Sequence, residues 1–247
     1  MSSDPDVKCF GAALLLDYGL AIIDCIQPII HSSASLQNFF YYVDLTTHNV
    51  TRRVKNSMYV RYTNITKRKL MKYRDEQTNF EYLLRVYTAD GVNQEQRHNT
   101  YMEIFSIRDP YDVQIMKVID RTYCHVSTLS IIDAKVYLGD IFFLDYFHGL
   151  YRLDILANND VLITGRYAKD GFTKFAVYSD DLENEVLIAL SNNHAVYEID
   201  WSNIRDPVMI TKYSLMEHSQ VKQLIINDLF VIVQSVANAT NDTHPNF

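Results

Sequence analysis

Apolar and polar residues alternate at period two through much of the chain. Tyr101-Met102-Glu103-Ile104-Phe105, Lys135-Val136-Tyr137-Leu138 and Val196-Tyr197-Glu198-Ile199-Asp200 are clear examples. These segments are rich in Val, Ile, Tyr and Phe, which suits the pleated, half-buried surface of a β-strand. No segment sustains a 3.6-residue period over the length of a helix. Asp109-Pro110 and Asp206-Pro207 mark turns, because Pro presets φ and Asp bonds the nearby backbone. The pattern predicts an all-β protein.

The pattern also repeats. Ile107-Arg108-Asp109-Pro110 recurs as Ile204-Arg205-Asp206-Pro207, 97 residues later. Val126, Leu129, Ile131, Asp133, Val136 and Leu138 recur as Val221, Leu224, Ile226, Asp228, Val231 and Val233 at an offset of 95. Such an interval is two units of about 48 residues, and a copy lies between: Gly149 to Asp154 stands 46 residues before Ala195 to Asp200. Gly19 to Asp24 and Met58 to Tyr62 have the same form. Each unit reads as a strand, an Asp-bearing turn (Asp133, Asp181 and Asp228), a returning strand, a third strand ending in Asp, a polar turn and a fourth strand.

Four antiparallel strands in 40–50 residues make a β-propeller blade. The expected architecture is a single propeller domain over 1–235 of five to six four-stranded blades, either five with a closing hairpin or six with the last incomplete. Blades are expected near 7–35, 36–75, 78–120, 124–168 and 172–215, with a half blade at 219–235 and a polar tail at 236–247. An unclosed ring exposes strand edges, which invite pairing with another chain or mark the chain as part of a longer protein.

Gly149-Leu150-Tyr151-Arg152-Leu153-Asp154 and the run from Val196 to Pro207 resemble the LVIVD-type β-propeller repeat, an apolar strand ending in Asp followed by a Ser-Asn-Pro-like turn. The resemblance covers residues 101–235 and implies a propeller. Propellers host both enzymes and scaffolds, so the fold leaves function open.

Charge adds one asymmetry. The net charge is −7, yet 45–74 holds no acid and nine bases, Arg52, Arg53, Lys55, Arg61, Lys67, Arg68, Lys69, Lys72 and Arg74. Residues 175–247 balance this with 10 acids against 3 bases. A basic surface centred on Arg52, Arg53, Lys55, Arg61, Lys67, Arg68 and Lys69 is the candidate for a partner with an acidic surface. The acidic whole argues against general nucleic-acid affinity. The apolar stretch Phe10 to Ile23 contains Asp17 and is shorter than a membrane span, and the residues before it lack the bases of a secretory signal.

Catalytic motifs are missing: there is no G-x-S-x-G, P-loop, G-x-G-x-x-G or H-E-x-x-H. His148 and His194 stand at comparable places before third strands and are the candidates for a central channel. Asp133, Asp181 and Asp228, like Asp24, Asp154 and Asp200, recur once per unit, as expected of residues that cap turns. No metal or other cofactor is expected. Cys9, Cys25 and Cys124 show no C-x-x-C spacing and read as reduced, mostly buried thiols, which favours the cytoplasm; the alternative is one disulfide with a spare thiol in an oxidising compartment. Four N-x-S/T sequons, at Asn49, Asn64, Asn238 and Asn241, exceed the about 2 expected by chance from 17 Asn and 30 Ser plus Thr, and keep a secreted or luminal location open. The expected function is a non-catalytic protein-interaction module, a scaffold or adaptor. The alternatives are an extracellular adhesion or receptor propeller within a longer chain, and a propeller hydrolase or lyase with a channel site.

Overall fold

The computed structural model describes residues 7–28, 36–55, 62–75, 79–91, 99–111, 113–137, 139–156, 160–180, 185–192, 195–203, 205–214, 219–227 and 230–237. These residues form strands and turns, with a single 3-10 turn at Leu16–Tyr18 and no α-helix among them. Among the described residues no helix is long and apolar enough to cross a membrane.

Each sheet is built from consecutive strands in chain order. The first contains β1 (Lys8–Leu15), β2 (Leu20–Pro28), β3 (Leu36–Asp44) and β4 (Val50–Lys55). The second contains β5 (Tyr62–Arg74), β6 (Glu81–Gly91), β7 (Asn99–Ser106) and β8 (Gln114–Ile119). The third contains β9 (Ile131–Tyr137), β10 (Asp140–Asp145), β11 (Gly149–Ile155) and β12 (Val161–Tyr167). The fourth contains β13 (Lys174–Asp180), β14 (Glu185–Ser191), β15 (Ala195–Asp200) and β16 (Val208–Ser214). A two-stranded sheet, β17 (Ser219–Asn227) with β18 (Phe230–Ala237), completes the described chain. The pairings whose register is resolved are antiparallel.

The N-terminal grouping differs from the one the repeat predicts. Residues 36–75, expected as one blade, divide: β3 and β4 pair with β1 and β2, while β5 pairs with β6. Three expected blades are thus two sheets, and the described chain holds four complete sheets rather than five. The cause is unequal spacing. First strands begin at residues 8, 62, 131, 174 and 219, intervals of 54, 69, 43 and 45. Asp133, expected at a hairpin turn, lies inside β9, where its carboxylate accepts the N–H of Ala134 at 2.9 Å. The hairpin comes later, beside Gly139 at φ 81°. Asp181 and Asp228 lie outside the described residues.

Where the sequence reading treats 1–235 as one domain, the chain divides into two compact units, 1–143 with 152–163, and 144–151 with 164–247. In the first unit the two N-terminal sheets enclose a core of Leu15, Leu20, Ile22, Phe40, Tyr42, Leu83 and Phe105, all nearly inaccessible to solvent. β5 packs against both β1 and β9, so the first strands of successive sheets adjoin. In the second unit β13 packs against β17 in the same way. Leu144, Leu150, Phe172, Ile188, Ile199 and Trp201 are fully buried within it.

Cys9 and Cys25 overturn the reading of three reduced thiols in favour of its alternative, one disulfide with a spare thiol. They are register partners on β1 and β2 and form a disulfide. Sixteen residues separate them in sequence, but antiparallel pairing sets them opposite one another, a relation that spacing alone does not carry. Cys124 is free and buried.

Candidate functional site

The basic stretch does not lie along one edge. Arg52, Arg53 and Lys55 belong to β4, at the far edge of the first sheet from β1. Lys67, Arg68 and Lys69 belong to β5, which packs beside β1. Three strand spacings separate those two edges, about 14 Å. Arg61 and the side chains of Arg52, Arg53, Lys55, Lys67 and Arg68 lie outside the described residues. A register shift between Ile65 and Arg68 breaks the ladder inside the basic run. Lys69 is engaged within the fold: its Nζ stands 2.8 Å from Asp133 Oδ1 and donates to the Ala134 carbonyl at 2.6 Å, linking β5 to β9.

A charged cluster is fully buried in the first unit. Arg85 on β6 and Glu103 on β7 are direct register partners. Arg85 Nε donates to Glu103 Oε2 at 2.6 Å, and Nη1 donates to Asp24 Oδ1 of β2 at 3.1 Å. Tyr87 donates its hydroxyl to Glu103 Oε1 at 2.8 Å. The guanidinium lies 4.8 Å from the ring centroid of Phe105 and 5.1 Å from that of Phe40. Arg85, Glu103 and Asp24 are each no more than 1% exposed. Burial works against the charge of Arg85, but Glu103 and Asp24 outweigh it and hold the pKa above the ordinary arginine value. Every guanidinium face meets an aromatic ring or a carboxylate, so the cluster acts as an internal tie between two sheets. Asp24 therefore has a role its repeat position does not predict.

Among the other recurrent carboxylates that are described, Asp200 holds a turn, and Asp44, outside that set, does the same. Asp200 Oδ1 accepts Ser202 N–H at 2.8 Å, and Asp44 Oδ1 accepts Thr46 and Thr47 N–H at 2.7 and 2.8 Å. Those backbone bonds, to Thr47 first and then Thr46, lower the pKa of Asp44. Asp140 receives both Nε and Nη2 of Arg152, at 3.1 and 2.8 Å. Burial still raises its pKa, which the arginine opposes. Asp154 adds to the rise.

His148 sits in the turn between β10 and β11. Its Nδ1 is 2.6 Å from Asp145 Oδ1, which also accepts the N–H groups of Phe147 and His148 at 3.0 and 2.7 Å. Three contacts on one fully buried oxygen make this pair a turn clamp. Arg166 Nε secures the same turn by donating to the His148 carbonyl at 3.0 Å. His194 lies outside the described residues. Among the described residues no group of three or more His, Cys, Asp or Glu is placed to hold a metal ion.

An exposed apolar strand among the described residues is β16, which none of the sequence-derived candidates includes. It forms an edge of the fourth sheet, with β15 as its neighbour. Six of its seven residues are exposed. Val208, Met209, Ile210 and Tyr213 keep 55, 45, 55 and 61% of their surface in solvent. The fourth strands of the preceding two sheets differ: β8 is mostly half-buried, and β12 buries Val161 and Gly165. A register shift at Glu198/Ile199 leaves Ile210 without an opposed residue. Such bulges are common at edges. Lys212 turns back onto its own sheet, 5.5 Å from the Tyr197 ring centroid. Beside it Tyr178 donates to Glu198, and burial together with that bond raises the tyrosine's pKa. The signal was present in sequence: Val208-Met209-Ile210 breaks the alternation with three consecutive apolar residues directly after a Pro turn.

No family model matches the chain, and no curated protein matches it. Among solved structures, puromycin hydrolase is similar over 92% of this chain, with a TM-score of 0.40 and 11% identity. A mutant of that enzyme complexed with PGG gives 93%, 0.41 and 11%. The chain covers 42% of the hydrolase chain in each case. Similarity at those TM-scores carries no weight for activity or site.

Proposed function

We propose that the chain is a non-catalytic interaction module of the β-propeller class, and that β16 is its binding edge. Support for the propeller comes from first strands that adjoin in successive sheets, as blades do around an axis. The LVIVD-like segments add to it, since Gly149 to Asp154 and Val196 to Asp200 are both third strands of four-stranded sheets.

The observation that carries the binding role is the exposure of four apolar side chains on one edge strand. An uncovered apolar edge is a template for another strand. The occupant is a second copy of β16. Antiparallel pairing centred on Thr211 sets Met209 opposite Tyr213, Ile210 opposite Lys212 and Thr211 opposite its own copy. The two Lys212 charges then do not face each other, and each Lys212 already leans on Tyr197. Full burial of such a side chain contributes about 1.5–3 kcal/mol, so each half-exposed one adds about 1 kcal/mol. Eight of them, four from each copy, stand against an association cost of ~4–15 kcal/mol. At most about 4 kcal/mol is left over, so the dimer is weak, millimolar at best.

Sedimentation velocity across a concentration series tests this. The wild-type chain should show a reversible monomer–dimer shift. Ile210→Lys should abolish it while the circular dichroism stays unchanged. A chain that stays monomeric throughout, or an Ile210→Lys variant that dimerises as well as wild type, would refute β16 self-pairing.

A further inference from the structure

We propose that Asn49 is an N-glycosylation site, and that the chain acquires its glycan and its Cys9–Cys25 disulfide in the same oxidising lumen. Two independent features meet here. The first is the disulfide itself, made between directly opposed residues of β1 and β2. Such bonds form and persist in secretory and extracellular compartments and are rare in the cytosol. Its formation transfers two electrons and two protons from the paired thiols to a disulfide-bearing oxidant of the lumen.

The second is the setting of Asn49-Val50-Thr51. Asn49 lies in the connection between β3 and β4, where residues 46–50 are all exposed. The backbone of that connection is already satisfied. Asp44 N–H donates to the Asn49 carbonyl at 3.0 Å, and His48, at φ 60°, donates to the Asp44 carbonyl at 2.8 Å. Asn49 N–H donates to Thr47 Oγ1 at 3.4 Å. Among the described residues the Asn49 carboxamide makes no hydrogen bond, so a bulky, hydrated group on it displaces nothing. The other sequons lack this setting. Asn64 stands inside β5 as the register partner of Asp90, and Asn238 and Asn241 lie outside the described residues.

The co-reactant is a lipid-diphosphate-linked oligosaccharide. Asn49 Nδ2 forms a bond to the sugar C1 as the bond from C1 to the phosphate oxygen breaks. The lipid diphosphate leaves, and the Nδ2 proton passes to a base of the transferase. No redox change accompanies the step.

The test expresses the full chain behind a cleavable secretory leader in eukaryotic cells. The secreted protein is treated with peptide N-glycosidase in heavy-oxygen water and mapped by mass spectrometry. The expected result is conversion of Asn49 to labelled Asp in molecules that also contain the Cys9–Cys25 cross-link. Asn49→Gln should remove one glycan's mass and leave secretion and the unfolding midpoint unchanged. Secreted, cross-linked protein with an unmodified Asn49 overturns the proposal. So does retention in the lumen when the same chain made in the cytosol is folded with Cys9 and Cys25 both open to alkylation.

Discussion

Removing Arg85 from its buried cluster tests the account of how the first two sheets are held together. Arg85→Met deletes the guanidinium but keeps an unbranched, apolar stem among Phe40, Tyr87 and Phe105. Asp24 and Glu103, no more than 1% exposed, then lose the guanidinium that faces them both. Breaking a buried ion pair by removing one partner costs about 3–5 kcal/mol, against a total stability of about 5–15 kcal/mol for an ordinary domain. The loss should depend on pH. With the cation gone, burial favours the protonated carboxyls, so the folded state binds more protons than the unfolded one. Stability then falls as pH rises and recovers as pH falls. Urea unfolding of wild type and variant, followed by circular dichroism between pH 4 and 8, measures both effects. Hydrogen exchange in β2, β6 and β7 localises them. The triple variant Arg85→Met, Asp24→Leu, Glu103→Met removes every charge in the cluster and should recover most of the lost stability. A loss below about 1 kcal/mol for Arg85→Met, or a loss that does not change with pH, would refute the reading of the arginine as the counter-charge that faces both carboxylates.

Two further stability tests address the turns and the cross-link. Reducing Cys9–Cys25, or replacing both with Ser, should lower stability by about 3 kcal/mol, the loop-closure value for a separation of 16 residues, read as a drop in thermal midpoint. Gly149→Ala should be far more damaging than Gly19→Ala in paired denaturation curves. At Gly149, φ is +91° and a Cβ would meet the Tyr167 carbonyl oxygen at 2.1 Å, whereas Gly19, at φ +61°, has nothing within 4 Å and costs only the ~1–2 kcal/mol of the left-handed conformation.

Strand chemistry was legible in the sequence, while pairing was legible only in part. Alternation marks Tyr101 to Phe105 and Val196 to Asp200 as strands, and both prove to be third strands, β7 and β15. Gly19 to Asp24 carries the same string of residue types but contributes to β2, the second strand of its sheet. A local pattern reports which residues suit a strand, not which neighbour the strand finds, so the N-terminal blades were misgrouped. The Arg85 cluster was hidden for the same reason: its members are 18 and 61 residues apart and meet only through register and sheet packing. The basic block shows the converse, since residues contiguous in sequence divide between β4 and β5, strands of different sheets. The disulfide depended on register as well. The apolar run at Val208–Ile210, by contrast, was readable as a break in alternation, but only its exposure on an edge gives it meaning.

Every sheet is made from an unbroken run of the chain, with each strand hydrogen-bonded to the one before it. During synthesis no strand has to wait for a partner encoded far downstream. The first sheet can be complete once residue 55 has left the ribosome, and its cross-link closes within the opening hairpin before the later sheets exist. Loop-closure entropy is spent in short instalments, and contact order stays low for an all-β protein. The molecule is therefore suited to vectorial folding, one sheet at a time from its N-terminus.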